Sequence, residues 1–371
     1  MNSIPFNDLS YQTKLVEKNI NSRWKKIVSN SSFVMGGALE EFEYQFAEFS
    51  NAKYGVGVGN GGDAIELLIR SLKLRNDSTI YLPSNTFFAT AAAISRANHK
   101  IKFVDVELDT GLMDINNLLN YKIKNWDCIL PVHLFGSMVD VKTIKSNLPI
   151  SVLIAEDSAQ AHGAKFNNDP PGKHSSGATY SFYPGKNLGA FGDGGFVTTN
   201  SNKILNILKK LRNYGSIKKY QHDTIGFNSR LDPLQAIVLS EKLKYLDRWN
   251  EERRINFNYY IKNLKDVHEV KFLNTNNIRE SVFHLTVARV KKRNDLIKYL
   301  DEYKISTLIH YPTPLHKTKA YKNYNYKKNE LKNSETLARE IISLPNYPGM
   351  TKKQIDYVCS KISEYYKKSK F

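Results

Sequence analysis

Lys186 is the residue whose surroundings in the sequence most favour covalent chemistry. It lies among apolar, aromatic and glycine residues in the segment 181–195, with Ser181 five positions before it. A lysine in such surroundings is partly desolvated, which favours the neutral amine, and a neutral amine can attack a carbonyl carbon to form a Schiff base. The sequence therefore predicts a covalently bound aldehyde cofactor at Lys186. A structural lysine in a glycine-rich loop is the alternative.

Other residues could complete a cofactor site around this lysine. Gly61 and Gly62 lie between a predicted strand and a predicted helix, where free N–H groups and the helix dipole favour an anion. A tight turn without a ligand is an equally good interpretation of these glycines alone. Asp157 ends a predicted strand, and Phe87 follows another. Pyridoxal 5'-phosphate needs this combination: an amine for its aldehyde, a carboxylate for its ring nitrogen, donors for its phosphate and a planar neighbour for its ring.

The elements that must position these residues are predicted to alternate between strand and helix. Apolar runs typical of buried strands lie at 78–83, 102–106, 128–133 and 151–157. Such strands, separated by helices, indicate an α/β fold with a large, mainly parallel sheet covered by helices on both faces. Chemistry is then expected at the carboxyl ends of the strands.

Two domains are predicted. Residues 1–245 form a large cofactor-binding domain with an N-terminal arm, 1–35, and residues 246–371 form a smaller α+β domain. One long amphipathic helix over 231–254 leads into the second domain. Further elements are predicted there as strands at 283–287 and 306–310 and helices at 334–342 and 352–367.

Composition restricts the partners. The 371 residues are 41% hydrophobic, which predicts a globular chain, and the net charge of +18 raises the possibility of an anionic partner. The lysines are spread along the chain, with no helix-turn-helix or zinc spacing, so a solvated basic surface is favoured over nucleic-acid binding. Cys128 and Cys359 form neither a disulfide framework nor a metal site. Without a leader or a long apolar run, we expect a cytoplasmic protein that does not contact the membrane.

Four segments resemble one known family, in that family's order along the chain. They read NGGDA at 60–64, EDSAQAHGA at 156–164, SFYPGKNLG at 181–189 and NSRLDPLQA at 228–236. Together they resemble the pyridoxal-phosphate sugar aminotransferases of the DegT/DnrJ/EryC1 family, which have the aspartate aminotransferase fold. The likeness covers nearly the whole chain, and it implies that fold and that cofactor.

The resemblance also implies roles for individual residues. Lys186 matches the Schiff-base lysine that shuttles protons, and Asp157 matches the partner of the pyridine nitrogen. The other implied cofactor contacts are Gln160 beside the ring hydroxyl, Phe87 on the ring, the phosphate-binding Gly61, Gly62 and Ser181, and Asn228 from a neighbouring subunit. A homodimer with shared active sites follows. The family usually has threonine at position 62, so this chain lacks one hydroxyl there.

A further segment, IHYPTPLH at 309–316, resembles family members that act on nucleotide-linked keto-deoxysugars. The candidate substrate residues are His310, Tyr311, His316, Tyr183, Arg212, Tyr214 and Arg230. Loop histidines, a core tyrosine and surface arginines without a function are the alternatives.

The resemblance implies transfer of an amino group from L-glutamate to carbon 3 or 4 of a nucleotide-linked, dTDP-favoured, keto-6-deoxyhexose, for an amino sugar of a surface polysaccharide or O-antigen. A lyase or dehydratase on the same fold is one alternative, although relatives with that activity have histidine in place of Lys186. A regulatory or nucleic-acid-binding protein is the other alternative.

Overall fold

The computed structural model describes residues 3–218 and 220–368, so the ends of the predicted domain ranges, 1–2 and 369–371, lie outside the description. The helices are α1 (Ser10–Ser29), α2 (Gly37–Phe49), α3 (Gly61–Ser71), α4 (Phe88–Arg96), α5 (Ile115–Leu119), α6 (Val141–Asn147), α7 (Asn202–Leu211), α8 (Pro233–Leu243), α9 (Leu246–Leu264), α10 (Arg293–Glu302), α11 (Lys332–Glu340) and α12 (Lys352–Lys368). The strands are β1 (Tyr54–Val58), β2 (Thr79–Pro83), β3 (Lys100–Val104), β4 (Cys128–Ile129), β5 (Leu153–Ile154), β6 (Glu156–Asp157), β7 (Ala178–Ser181), β8 (Gly195–Thr199), β9 (Val270–Phe272), β10 (Thr286–Val290) and β11 (Ile341–Leu344).

One large sheet contains strands β1 to β8, which lie between Tyr54 and Thr199. Strands β3, β2, β4 and β5 pair in that order and run parallel, and the order continues through β6, β7, β8 and β1. The two halves join at Ala155, whose N–H donates to the carbonyl of Ile129 (3.0 Å), and at the parallel bridge between Val132 and Asp157. Only β8 among these strands runs antiparallel to its neighbours. The predicted α/β fold with a mainly parallel sheet is confirmed.

Packing on both faces of this sheet explains its continuous apolar strands. In β8, Phe196 belongs to an aromatic cluster with Phe42 and Phe182, whereas the next residue, Val197, packs with Leu68 of α3. Successive side chains of a strand point to opposite faces, so a strand covered on both sides has no polar face.

The connecting helix differs from its prediction. Instead of one helix over 231–254, α8 ends at Leu243 and α9 begins at Leu246, with a turn in which the N–H of Tyr245 donates to the carbonyl of Lys242 (3.0 Å). Apolar periodicity did not indicate this two-residue turn, because it contains neither glycine nor proline.

Strands of the C-terminal part also differ from their predictions. Residues 306–310 form no strand in the described chain and pair only through a single bridge between Leu308 and Ser343. The helix predicted over 334–342 ends at Glu340, and its last apolar residues instead begin β11, which pairs with β10. Two consecutive isoleucines fit both the helical and the strand periodicity, so their pairing with β10 made this segment a strand.

The N-terminal arm packs against the C-terminal part of the chain. Ile4 is 1% exposed, its N–H donates to the carbonyl of Lys304 (2.8 Å), and its carbonyl accepts from the N–H of Ser306 (3.0 Å). The division of the chain at residues 245 and 246 stays a prediction. In residues 3–218 and 220–368, every helix is too short or too polar to cross a membrane.

Candidate active site

A cavity of about 890 Å³ opens where the large sheet meets the C-terminal part of the chain. Residues at the carboxyl ends of β2, β4, β6 and β7 line one side of it, as expected for a parallel sheet. The predicted site residues in its wall are Gly61, Gly62, Phe87, Asp157, Gln160, Ser181, Tyr183, Lys186, His310 and Tyr311. Folding therefore brings together residues that are up to 250 positions apart in the sequence.

Lys186 and Asp157 perturb each other inside this cavity. Burial lowers the pKa of the Lys186 amine to about 8, and the nearby Asp157 carboxylate opposes that shift. Burial also raises the pKa of Asp157, against hydrogen bonds from the N–H of Ala159 (3.0 Å) and the hydroxyl of Thr90 (2.8 Å). The amine is thus available in its neutral form near neutral pH, and the carboxylate is held in one orientation.

The lowered pKa of Lys186 predicts how loading with pyridoxal 5'-phosphate depends on pH. Only the neutral amine attacks an aldehyde, so the rate should rise about tenfold per pH unit below about 8 and level off above it. Stopped-flow absorbance of the apo-protein mixed with the cofactor measures this rate. A rate still rising steeply above pH 9.5 or so would mean that Lys186 keeps the ordinary lysine pKa.

Gln160, Tyr311 and Phe87 form one connected group. The Gln160 amide donates from Nε2 to the Tyr311 hydroxyl (3.1 Å), and its Oε1 accepts from the N–H of Phe135 (2.7 Å). The rings of Phe87 and Tyr311 lie 5.8 Å apart, and Phe87 is 57% exposed. An aromatic face exposed in a cavity is suited to a planar ligand.

The glycine turn approaches β7 closely. A Cβ at Gly61 would lie 2.6 Å from the Cβ of Ser181, so no larger residue fits there without a shift. Asn60 caps α3 by accepting from the N–H of Asp63 (2.9 Å), which leaves the N–H groups of the first turn directed at the cavity. This cradle, the buried carboxylate and the lysine amine fit pyridoxal 5'-phosphate.

Several cavity residues carried no signal in the sequence. From the N-terminal arm, Phe6 packs 5.7 Å from the ring of His310, and Asn7 donates to the carbonyl of Gly185 (3.5 Å). Arg253 of α9 also lines the wall and donates to the carbonyl of Asn346 (2.5 Å). The arm and Arg253 lie outside all of the motifs, so no local pattern could have indicated them.

Arg212 is a correction. It was expected to bind substrate, but it is 3% exposed, forms an ion pair with Glu43 and donates to the carbonyl of Gly57 (2.8 Å). These contacts of its guanidinium stabilise the fold, and the side chain does not line the cavity. Sequence reasoning missed this because the partner acid lies on α2, far away in the chain.

The buried ion pair predicts a large stability effect for Arg212→Met. Removing the arginine leaves the Glu43 carboxylate buried without its cation, which should lower the free energy of unfolding by about 3–5 kcal/mol. Arg75→Met is the matched control, because Arg75 and Asp77 are mostly exposed and their pair should contribute less than ~1 kcal/mol. Urea denaturation measures both, and equal losses in the two variants would contradict the expectation.

His316 is a second correction. It is 6% exposed, its Nδ1 is hydrogen-bonded to the hydroxyl of Ser84 (2.6 Å), and its Nε2 lies 3.2 Å from Glu335. Burial lowers its pKa. These contacts connect the loop after β2 to α11, so the side chain has a structural position outside the cavity wall.

Three other predicted residues lie together outside the cavity wall. Arg230 donates to the side chain of Asn213 (3.0 Å), which pairs with Asn228, and its guanidinium lies 5.8 Å from the ring of Tyr214. Tyr214 is 50% exposed. A single chain therefore does not bring these residues to Lys186.

Solved structures share this architecture. The S. venezuelae protein DesV, 34% identical, superposes with a TM-score of 0.94 over 98% of this chain and 99% of that one. NtdA from Bacillus subtilis, solved with the bound cofactor PMP, is 25% identical with a TM-score of 0.89 over 98% of this chain and 85% of that one. Together with the lysine, carboxylate and cradle of the cavity, this defines the chain as an aminotransferase that uses pyridoxal 5'-phosphate.

The chain belongs to the DegT/DnrJ/EryC1/StrS aminotransferase family, whose model matches residues 14–363. It is 38% identical to the dTDP-3-amino-3,6-dideoxy-alpha-D-galactopyranose transaminase of Aneurinibacillus thermoaerophilus, over 98% of this chain and 99% of the relative. It is also 36% identical to a protein of Geobacillus stearothermophilus named as a pleiotropic regulatory protein, over 98% and 99% of the two chains. The predicted family, cofactor and transaminase class are confirmed, and the chain is a sugar aminotransferase.

Proposed function

We propose that this enzyme transfers an amino group from L-glutamate to the keto carbon, C-3 or C-4, of a nucleotide-linked keto-6-deoxyhexose, with dTDP as the nucleotide. The observation that carries the proposal is the cavity itself, in which the Lys186 amine and the Asp157 carboxylate lie beside a space of about 890 Å³. Amination rather than dehydration follows from the lysine, because it can both bond to the cofactor and move a proton.

Pyridoxal 5'-phosphate, when bound, supplies an aldehyde that accepts an amino group and a ring that withdraws electrons. Asp157 would hold the proton on the ring nitrogen, since its carboxylate is buried and fixed by Thr90 and Ala159. Lys186, with its pKa of about 8, would take a proton from one carbon and return it to another near neutral pH. Gln160 and Phe87 would orient the ring.

His310 and Tyr311 would contact the sugar as neutral groups. Burial, together with the Lys186 charge, lowers the pKa of His310 to about 4, and its Nδ1 is hydrogen-bonded to the hydroxyl of Ser343 (2.8 Å). A neutral imidazole suits a sugar hydroxyl better than a diphosphate, which needs a cation. Tyr183, 61% exposed at the cavity wall, is the remaining candidate for the sugar or nucleotide.

Carbon 3 is the favoured position in this proposal. The printed name of the A. thermoaerophilus relative specifies a dTDP-linked 3-amino sugar. Other relatives, 31% and 26% identical, are named for UDP- and GDP-linked sugars, and the higher identity of the relatives named for dTDP-linked sugars supports dTDP. In this proposal the enzyme acts in the cytoplasm, and its amino sugar is used for a surface polysaccharide.

The experiment that tests the reaction uses purified enzyme with L-glutamate and each of four acceptors: dTDP-4-keto-6-deoxyglucose, its 3-keto isomer and the two UDP analogues. NMR of the product locates the new amine. Amination of one of the dTDP-linked sugars is expected. Conversion of the cofactor to its amine form by glutamate, with no transfer to any of the four, would overturn the proposed acceptor, and dehydration of the sugar would overturn the reaction.

Homodimerisation with shared sites would explain Asn228, Tyr214 and Arg230. They lie outside the cavity of their own subunit, and the adjoining loop exposes the apolar side chains of Ile217 and Ile225. Mixing inactive Lys186→Ala with impaired Asn228→Ala subunits tests this arrangement. If Asn228 serves the partner's site, each mixed dimer contains one site with both native residues, and activity returns on mixing. No recovery in a mixture shown to exchange subunits would place Asn228 elsewhere.

The phosphate cradle makes a separate prediction. Ser181→Ala should weaken binding of pyridoxal 5'-phosphate about tenfold or more, because it removes a hydroxyl next to the glycine turn. Gly62→Thr should tighten binding by carrying a hydroxyl into the cradle, with a shift of a few tenths of an ångström by the Asn60 Oδ1, which would lie 3.3 Å from the new Cβ. Equilibrium dialysis of the apo-proteins measures both, and unchanged affinity in both variants would contradict the cradle.

A further inference from the structure

Arg96 lines the same cavity beside the glycine turn. It ends α4, and its Nη2 would lie 3.8 Å from a Cβ placed on Gly62. The other nearest atoms to that position belong to Asn60 and Ala89, at 3.3 and 3.8 Å. Because Gly62 has no side chain, the guanidinium borders the space where the turn presents its N–H groups.

Two carboxylates hold this guanidinium in place. Its Nη2 pairs with Asp63 (3.2 Å) and its Nε with Glu66 (2.6 Å), and both acids lie in the first two turns of α3. Glu66 is 5% exposed, whereas the Arg96 side chain is 51% exposed. The arginine is therefore oriented on one side and remains accessible on the other.

A phosphate bound at this end of the cavity would need a cation beside it. A phosphate monoester carries about −1.5 to −2 charges at pH 7. The turn and Ser181 offer only neutral donors from the same subunit, and the Asp63 carboxylate, in the first turn of α3, would repel a phosphate if it were unpaired. Arg96 neutralises Asp63 and adds charged N–H donors, which bind phosphate more strongly than neutral ones do.

We propose that Arg96 is a further phosphate-binding residue of this active site, an inference that rests on the cradle proposed above at Gly61, Gly62 and Ser181. The phosphate is that of the cofactor or the diphosphate of the sugar nucleotide, which have the same recognition chemistry.

The test compares pyridoxal 5'-phosphate with pyridoxal, which lacks only the phosphate. Dissociation constants of both are measured by fluorescence titration of the apo-proteins, for the wild type and Arg96→Met. We expect Arg96→Met to weaken the binding of pyridoxal 5'-phosphate about tenfold and to leave the affinity for pyridoxal unchanged. If the contact is with the substrate diphosphate, the ratio of the two dissociation constants stays at its wild-type value, and the KM for the nucleotide sugar rises about tenfold instead.

Arg70→Met is the control for indirect effects, because Arg70 also pairs with Glu66 (2.8 Å) and donates to the Arg96 carbonyl (2.6 Å) but lies outside the cavity wall. It should change neither quantity. The inference is overturned if Arg96→Met leaves both the ratio of dissociation constants and the KM for the nucleotide sugar within about twofold of the wild type. It is also overturned if Arg70→Met produces the same losses. Ser181→Ala separates the two proposals. A reduced preference for the phosphorylated ligand in Ser181→Ala alone, with an unchanged KM for the nucleotide sugar in Arg96→Met, keeps the cradle and rejects Arg96. No change of preference or KM in either variant rejects both.

Discussion

Lys186→Ala is expected to abolish transamination, with a loss on the order of 10³-fold or more, because in the proposed mechanism this one side chain provides both the covalent attachment and the proton transfer. The variant should also lose the visible absorbance of the lysine-bound cofactor while still binding the phosphate. Steady-state transfer from L-glutamate and an absorbance spectrum measure the two effects. Lys186→Arg should be equally inactive, since a guanidinium keeps the charge but cannot form the bond.

A second buried lysine makes this prediction specific. Burial also lowers the pKa of Lys242 to about 8, and this amine donates to the carbonyl of Gly189 (2.7 Å), outside the cavity wall. If the lowered pKa alone selected the nucleophile, borohydride reduction of the loaded enzyme would label either lysine. We expect peptide mapping to find the label on Lys186 alone, because the cavity reaches only that amine. A label on Lys242 would contradict the proposed site.

Asp157→Asn is expected to reduce the turnover on the order of 10²- to 10³-fold while retaining the cofactor. The amide has nearly the same shape. Its oxygen can still accept from the N–H of Ala159, and its NH2 group can donate to the Thr90 hydroxyl with the direction of that hydrogen bond reversed, but it cannot stabilise a proton on the ring nitrogen. The loss should therefore occur in kcat, and in the half-reaction with glutamate followed by absorbance. A wild-type rate for that half-reaction would show that Asp157 has a structural role only.

Glu156→Gln is the control for Asp157, because the two adjacent carboxyl groups have different surroundings. Glu156 lies against His133 Nε2 (2.7 Å), accepts from the N–H of Gly172 (3.0 Å) and does not line the cavity. Its replacement should lower the thermal stability and leave the half-reaction of the folded enzyme near the wild-type rate. The strand pattern could not separate these two acids, since both end the same predicted strand, and only the family resemblance selected Asp157.

The prediction from sequence succeeded where local pattern and chemistry coincide. The apolar strands and the glycine turn predicted the α/β fold, and Lys186, Asp157 and Ser181 do lie in one cavity. It failed at the turn between α8 and α9 and at residues 306–310, where partner segments rather than local periodicity set the structure.

Charged and polar side chains were the least predictable part of the site. Arg212 and Arg96 look alike in the sequence, yet Arg212 is buried against Glu43 and Arg96 borders the cavity. Phe6 and Asn7 reach the cavity from the N-terminal arm without any motif. A long side chain is positioned by whichever acid or carbonyl the fold places beside it, and such partners are distant in the chain.

The sequence by itself determined the family and the fold class and indicated Lys186 as the proposed attachment point of the cofactor, because those depend on residue types at short spacings. Only the tertiary structure decided which residues surround that lysine. It also decided that Arg96 is accessible and that His316 is held by structural hydrogen bonds. The physical reason is that burial and partner distance set the charge state and availability of a side chain, and both arise when segments from the whole chain meet.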